Sequence, residues 1–467
     1  MAISDAQFDV WENDSDADRV CLVEIQYYNG QTAYIANKAY RTSPSDSPAN
    51  TEYVAGLLEP VVIEESIEKN IRRTITLDNP STSNGSGKFD YLVDAQYQGY
   101  EITIKIGDAS WDIADFRQVA KGLTDEIRGD RKLTVRYSDD GRKFKLPLGD
   151  GGPVLTGTVK NASVVVETGN VYTPSDAALT SIDAVYDKGD ALTITTNYTQ
   201  SLTVPTDITL VSGNPDGRIT YDATQGDSKI NTILGTYCTR AGVTVNSTQV
   251  NALAVTQPAL SGFFYEKGEE VTIQTAIDDL METYGTSYYF NSDNELELTR
   301  LDEPASASWT FTTLDMPHNP LTESKVEAPV RNYKLKSLKN YTVQSESELA
   351  GSVTVADRIL FGSNYRDENT VQNTLTGAPA TTYINKTKVS NLINDSAAST
   401  ECSRLAALRG EQRGVWKLKT IVLHNDLQIG DTVSITHPRR GFSAVDALVI
   451  GVRKSVLDGT MILTVWF

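Results

Sequence analysis

Short runs of alternating apolar and polar residues, rich in Thr, Val, Ile and Tyr and separated by Gly, Asn, Asp, Ser and Pro, cover most of the chain. A period of two puts successive side chains on opposite faces of a strand, so the pattern predicts a mainly β protein built of barrels or sandwiches. Residues 20–35 read as a strand pair turned at Asn29-Gly30, two residues that accept the positive φ of a tight hairpin. The pattern continues through 59–68, 74–77 and 90–106, with a turn near Gln98-Gly99, while 80–88 (PSTSNGSGK) is a polar loop with almost nothing to bury. Further strands are predicted at 116–121, 133–137 and 144–148, with Asp139-Asp140-Gly141 turning the chain between the last two, and at 154–166.

The middle third changes period. Ile230, Ile233, Leu234, Tyr237 and Ala241 recur at helical spacing, with Asp227 or Ser228 to cap the start and Gly242 to stop the helix. Ile273, Ala276, Ile277, Leu280 and Tyr284 form the stripe of a second helix that runs from about Thr272 to Gly285 and leads into a hairpin, 287–290 and 295–301 around a turn at 291–294. Helix and hairpin together make a small α+β module. Beyond about Leu321 the β pattern returns, with a third helix over 395–409 that turns Ala398, Cys402, Leu405 and Leu408 inward. Four runs, 416–423, 431–436, 447–454 and 461–467, follow it, with Asp458-Gly459 as the last tight turn. No repeat of fixed period is present. The expected division is an acidic N-terminal arm (1–19), a first β domain (20–170), an inserted α+β module (171–320) and a second β domain with one helix (321–467). The GDGGP cluster at 149–153 is an alternative boundary.

Composition narrows the class. A chain of 467 residues has room for two to four domains, and 39% hydrophobic with 22% charged residues excludes wholesale disorder. No apolar run approaches the roughly 20 residues of a membrane-spanning helix. Asp5, Asp9, Glu12, Asp14, Asp16 and Asp18 precede the first base, Arg19, which is the opposite of a secretion signal's positive start. Cys21, Cys238 and Cys402 are few, odd in number and far apart, as expected of small buried hydrophobes in a protein made in a reducing cytoplasm. With 42 basic and 61 acidic residues the net charge is −19, which disfavours binding that depends on neutralising nucleic-acid phosphates. A negative surface would instead repel passing DNA and leave it free to slide.

Candidate chemistry is sparse. The three histidines, His318, His424 and His437, contain no His-Glu-x-x-His, and a zinc site built from them and distant cysteines is disfavoured against exposed or turn histidines. Gly85-Ser86-Gly87-Lys88 fails as a phosphate loop because Thr82 and Phe89 stand where Gly and Ser or Thr are needed. Asp14, Asp16 and Asp18 mimic the start of a calcium loop, yet Arg19 and Ile25 occupy its Gly and Glu positions, so a solvated arm is expected. Glu64 with Glu65, or Asp278 with Glu282, are the carboxylate pairs a glycosidase would need; the second pair lies outside its helix's apolar stripe and reads as a solvent face. No nucleophile elbow or reactive-cysteine context appears. No catalytic, cofactor-binding or metal residue is therefore assigned. Arg128, Arg131, Lys132, Arg136, Arg142, Lys143 and Lys145 form one positive cluster, either ordinary polar strand faces or a surface for an acidic partner such as another copy of the chain. Tyr outnumbers Phe by 22 to 11, which suits half-buried partner surfaces and strand propensity alike.

Two stretches resemble the tail hub proteins of tailed bacteriophages, also called baseplate or tail-tip hubs. One is Thr275-Ala276-Ile277-Asp278-Asp279-Leu280 leading to Tyr284-Gly285, then Tyr288-Tyr289-Phe290 to Glu295-Leu296-Glu297-Leu298. The other is Trp416-Lys417-Leu418, then Leu427-Gln428-Ile429-Gly430-Asp431-Thr432-Val433-Ser434-Ile435, Val449-Ile450-Gly451 and the run 459–467. In that family L-x-I-G-D-x-V is a turn entering a barrel strand, and its Gly-Asp is structural. Tyr97-Gln98-Gly99-Tyr100 through Ile106-Gly107-Asp108, and on through 116–148, is similar to the family's first tube-type barrel. The first twenty residues and 172–227 match nothing in it.

The resemblance implies two tube-type β-barrels per subunit and a homotrimer whose pseudo-six-fold ring continues a hexameric tail tube. It implies a virion structural protein of the tail tip or baseplate, made in the host cytoplasm, with no catalytic residue and no cofactor. Its partners would be the distal tail or tail tube protein, the tape measure protein and tail fibre or receptor-binding proteins, and DNA would cross its lumen unbound during genome ejection. The alternative from another class is a β-rich carbohydrate-active enzyme or binding module acting on a surface polysaccharide; a third, weaker one is a receptor adhesin of the same virion.

Overall fold

The structure, a computed structural model, describes residues 3–58, 61–67, 73–83, 86–149, 153–175, 177–204, 206–211, 215–318, 320–374 and 384–467. Strands dominate it and helices are few, as the alternating pattern predicts. The chain forms two compact units, each assembled from separated stretches: Met1–Arg142, Tyr288–Val326 and Arg413–Phe467 in the first, Lys143–Ser287 and Glu327–Gln412 in the second. Both units thus cut across the consecutive segments suggested by the sequence, and the 287/288 boundary falls between the second helix and the far part of its hairpin.

The first unit holds two large sheets. One has eight strands in the order Tyr40–Arg41, Glu52–Ala55, Gln31–Ala36, Arg19–Tyr27, Glu101–Asp108, Arg117–Gly129, Lys132–Ser138 and Arg73–Asp78. Asn29 and Gly30 make its expected turn at φ 63° and 70°, and Tyr27 lies opposite Gln31. Strand Arg19–Tyr27 is buried on both faces: Cys21, Val23 and Ile25 enter the main core, while Val20 and Leu22 pack with Tyr40, Tyr53 and Phe116. Burial of each Val, Leu or Ile of this strand contributes about 1.5–3 kcal/mol before the entropy of ordering is counted.

The other sheet has the order Trp309–Phe311, Thr432–His437, Phe442–Ser455, Thr460–Trp466, Arg413–Thr420 and Leu321–Glu327. Strand Val62–Ser66 adds to it, antiparallel to Phe442–Ser455, with Ile63 opposite Lys454 and Glu65 opposite Val452. A strand from the chain's beginning is therefore built into the sheet of its end. Phe311, Leu418, Leu427, Val433, Val449 and Leu463 fill the core beneath it.

Three expectations need correction in this part of the chain. The acidic arm is only partly solvated: α1 (Asp5–Glu12) starts with a Ser4–Gln7 capping box and buries Phe8 and Glu12, while Asp14, Asp16 and Asp18 stay exposed. Phe8 packs 5.2 Å from the Trp11 ring, and Trp11 lies 4.6 Å from Trp111, so apolar contact overrides the local charge. Within 90–106 the first residues form α2 (Asp90–Asp94). Asp90 accepts from the Gly87 N–H and the Asn79 amide and begins a helical turn in place of a strand. Residues 140–145 form a 3-10 turn in place of the strand expected from 144, and Pro147 and Gly149 stop extension beyond it.

The second unit carries the remaining helices, α3 (Ile230–Ala241), α4 (Ser247–Thr256), α5 (Ile273–Tyr284), α6 (Val355–Gly362) and α7 (Asp395–Arg409). α3, α5 and α7 are the three that the periodicity predicts. The cap of α3 is Lys229, with no side-chain bond, because Asp227 spends its carboxylate on the Lys229 N–H one residue short of the helix. Three sheets complete the unit. A five-stranded sheet runs through Asp190–Ala191, Ser181–Asp187, Ile219–Gln225, Val154–Ser163 and Gly262–Tyr265. A four-stranded sheet comprises Val165–Thr168, Val171–Ser175, Thr206–Leu210 and Tyr198–Ser201, and a three-stranded sheet comprises Tyr365–Gln372, Val330–Lys339 and Ile384–Val389. The GDGGP cluster and the centre of the 80–88 loop lie partly outside the described residues.

Candidate functional site

The L-x-I-G-D-x-V segment is a turn that feeds strand Thr432–His437. Leu427 and Ile429 are buried beneath it, and Gly430 adopts φ 95°, where a Cβ would also stand 3.0 Å from Thr299 Oγ1. Asp431 Oδ2 accepts from the Gln428 N–H at 2.8 Å and closes the turn. These two residues hold backbone shape. The hairpin stretch reaches the same place: the Tyr289 hydroxyl lies 2.6 Å from Glu297 Oε2 and 3.2 Å from the Ile429 carbonyl. Burial, and the Glu297 carboxylate beside it, push the Tyr289 hydroxyl pKa far above its ordinary value, so it stays a donor. Glu297 also accepts from the Asn291 amide at 2.8 Å.

Next to this contact lies a polar cleft of about 410 Å³, walled by α1, the hairpin tip at 291–293 and the 425–428 loop, with Lys454 in its lining. Lys454 is buried and donates to the Asn425 carbonyl at 2.5 Å and the Leu427 carbonyl at 3.0 Å. Burial pushes its ammonium below the usual range, against the pull of Glu65, Glu12 and Asp426. Glu12, 1% exposed, accepts from the Asn425 N–H at 3.2 Å and the Asn425 amide at 2.7 Å. Burial pushes Glu12 up to about 8, opposed by the Asn425 bond and the Lys454 charge and reinforced by Asp9 and Asp426. His424 is lowered by burial and lies 4.3 Å from the Trp309 ring. The cluster works as a lock, since α1 and the 424–428 loop are tied to the sheet through groups that water hardly reaches.

A second buried network serves the other unit. Arg404 grips both oxygens of Glu401 at 2.9 and 2.7 Å, and the Gln257 amide adds a bond at 3.1 Å. Burial pushes the nearby Lys388 ammonium down to about 8, against the pull of Glu401.

The residues tested for chemistry fall as follows. Glu64 and Glu65 are neighbours on one strand, exposed and buried respectively, and so face opposite ways. Glu282 is exposed and Asp278 accepts from Gln274 at 2.9 Å along the helix, the solvent face that the stripe predicts. The Gly87 N–H and the Lys88 ammonium are spent on Asp90 and on the Ala55 carbonyl. Asp14 turns to the Asp16 N–H, and Asp18 pairs with Lys38. In the basic cluster Arg136, on a strand, pairs with Glu126 at 2.9 Å and Arg142, in the 3-10 turn, with Asp125 at 2.9 Å, which favours ordinary polar surface there. His318 and His437 line one cavity, away from His424. Among the described residues no group of three or more His, Cys, Asp or Glu could hold a metal ion. All three cysteines are buried and free. Sequence reasoning missed Glu12 and Lys454; the Ser4-x-x-Gln7 box before Phe8 was the available sign of a docked helix.

No protein-family model and no curated sequence matches the chain. Its fold is similar to that of the prophage MuSo2 43 kDa tail protein from Shewanella oneidensis, at 12% identity over 96% of this chain and 98% of that one, with a TM-score of 0.42. It is similar as well to prophage tail protein gp18 from Listeria monocytogenes EGD-e, at 8% identity over 96% and 94% of the two chains and a TM-score of 0.46. A chain of the native gene transfer agent virion aligns at 10% identity over 69% of this chain and 85% of that one, with a TM-score of 0.46. Likeness at this level is one of general chain course and extends to nothing that those proteins do.

Proposed function

We propose that the chain is a structural component of a bacteriophage tail, a hub that closes the distal end of the tail tube as a homotrimeric ring. The two large sheets of the first unit would supply the two tube-type barrels of each subunit. The observation that carries the reading is the Tyr289–Ile429 hydrogen bond, which joins two stretches that resemble tail hubs and lie 140 residues apart in sequence. Gly430 at φ 95° and Asp431 accepting from the Gln428 N–H support reading this segment as the turn of the family's pattern. In this reading the ring joins the tube and its tape measure protein to baseplate or receptor-binding proteins. Three copies of a chain of net charge −19 would surround a channel to which DNA does not adhere.

The polysaccharide alternative requires exposed Trp beside paired carboxylates. None of the five Trp side chains is exposed, and Glu64 and Glu65 diverge. The test is a gold-labelled antibody against the chain applied to purified phage particles. Label confined to the distal tip is expected; label along the tube, on fibres or absent from particles contradicts the reading.

A further inference from the structure

We propose that the cavity between residues 313–318 and the turn Pro438–Arg440, in the first unit, binds a small organic anion through its carboxylate or phosphate. The cavity has a volume of about 710 Å³, room for a ligand of sugar-phosphate size. Among the described residues its lining gathers His318 and His437 with Arg439 and Arg440 and contains no Asp or Glu. That is unusual ground in a chain of 61 acidic and 42 basic residues. Some cations of the same unit are matched, Lys105 with Glu24 at 2.8 Å, Lys121 with Glu101 at 2.9 Å and Arg117 with Asp5 at 2.8 Å, while others, such as Lys417 and Lys419 on a strand, have no carboxylate partner among the described residues. Among the described residues Arg439 and Arg440 have no such carboxylate. The carboxylate on the facing loop, Asp315, is committed to the Thr312 N–H at 2.8 Å and the Thr312 hydroxyl at 2.9 Å.

Backbone geometry fixes the turn that carries the two arginines. Pro438 opens the turn, and Gly441 closes it at φ 76°, its N–H donating to the Pro438 carbonyl at 3.0 Å. The flanking strands pair His437 with Phe442 across its base. Two adjacent like charges on so short a turn repel each other, and an anion between them relieves that repulsion without reorganising the chain. Guanidinium forks match the paired oxygens of a carboxylate or phosphate, and an imidazole keeps an N–H to donate in either protonation state. Of the remaining walls, Met316, Pro317, Pro320, Leu321 and Pro438 offer side chains with no hydrogen-bond donor, and Thr313 adds one hydroxyl. The uncharged part of the ligand therefore meets apolar surface, which is why an organic anion suits the site better than a bare one.

The full chain is titrated at low ionic strength with glycerol 3-phosphate and glucuronate, with glycerol, inorganic phosphate and a short DNA duplex as comparisons, by calorimetry. Both organic anions are expected to bind in the millimolar range or tighter, and glycerol not at all. The double variant Arg439→Ala/Arg440→Ala should melt like the native chain, both side chains being exposed, and bind about tenfold more weakly or worse. Unchanged affinity in that variant, no binding of either organic anion, or equal binding of glycerol overturns the proposal. Inorganic phosphate binding as tightly as glycerol 3-phosphate would mean a general anion site, and DNA binding more tightly through the same arginines would mean a nucleic-acid site; either result also overturns it.

Discussion

Glu12 is a carboxyl group that water hardly reaches, held by the Asn425 N–H and amide and near enough to Lys454 to feel its charge. Its ordinary value of 4.5 is pushed up to about 8, so between those values the folded chain keeps a proton that the unfolded chain has released. The stability this group contributes is full below the lower value and is lost as pH rises through the upper one. Glu12→Gln keeps the shape and cannot ionise. It should match the native chain in denaturant unfolding near pH 4 and exceed it near pH 9 by about 1 kcal/mol or more, since each tenfold change in proton affinity is worth about 1.4 kcal/mol. Parallel pH profiles for the two proteins would contradict this. Such a residue was illegible in the sequence: Glu12 stands in a run of solvated acids, and only the long-range contact with Asn425 sets it apart.

At the scale of elements, what the sequence told plainly was period. The stripes of α3, α5 and α7 and the Asn29-Gly30 turn rest on local spacing and local backbone strain, which a sequence displays directly. α4 escaped because its apolar residues do not gather on one stripe, and α6 because its eight residues make barely two turns; Val255, Val355 and Ile359 are exposed. Strand Val62–Ser66 could be seen, but its partner could not, since pairing with Phe442–Ser455 spans almost the whole chain. The helix ends offer a matched test. Gly242 and Gly285 close α3 and α5 at φ 65° and 64°; a Cβ at Gly242 meets nothing within 4 Å, whereas at Gly285 it meets Glu401 and Lys388 at 3.2 Å and Arg404 at 3.3 Å. Gly242→Ala should cost the left-handed penalty of about 1–2 kcal/mol. Gly285→Ala should cost more, because it also disturbs the Glu401–Arg404 pair. Equal losses in thermal unfolding would contradict the crowding at Gly285.

At the scale of the molecule, domain boundaries were the least legible feature. The first unit takes its beginning and its end from opposite termini, and no local signal of Gly, Pro or charge marks a union made by a strand and a helix from one terminus meeting a sheet from the other. The motif that resembles tail hubs was legible because it is local, and its turn geometry follows from Gly430 and Asp431 alone. Ring formation is not local in the same sense, since a symmetric ring is a property of several copies and of the surfaces they share. The most direct measurement is therefore the mass and shape of the purified protein, alone and with the tail proteins proposed as its partners, by light scattering and negative-stain imaging. The account predicts a particle of three subunits with a central hole. A compact monomer with no ring under both conditions would contradict it.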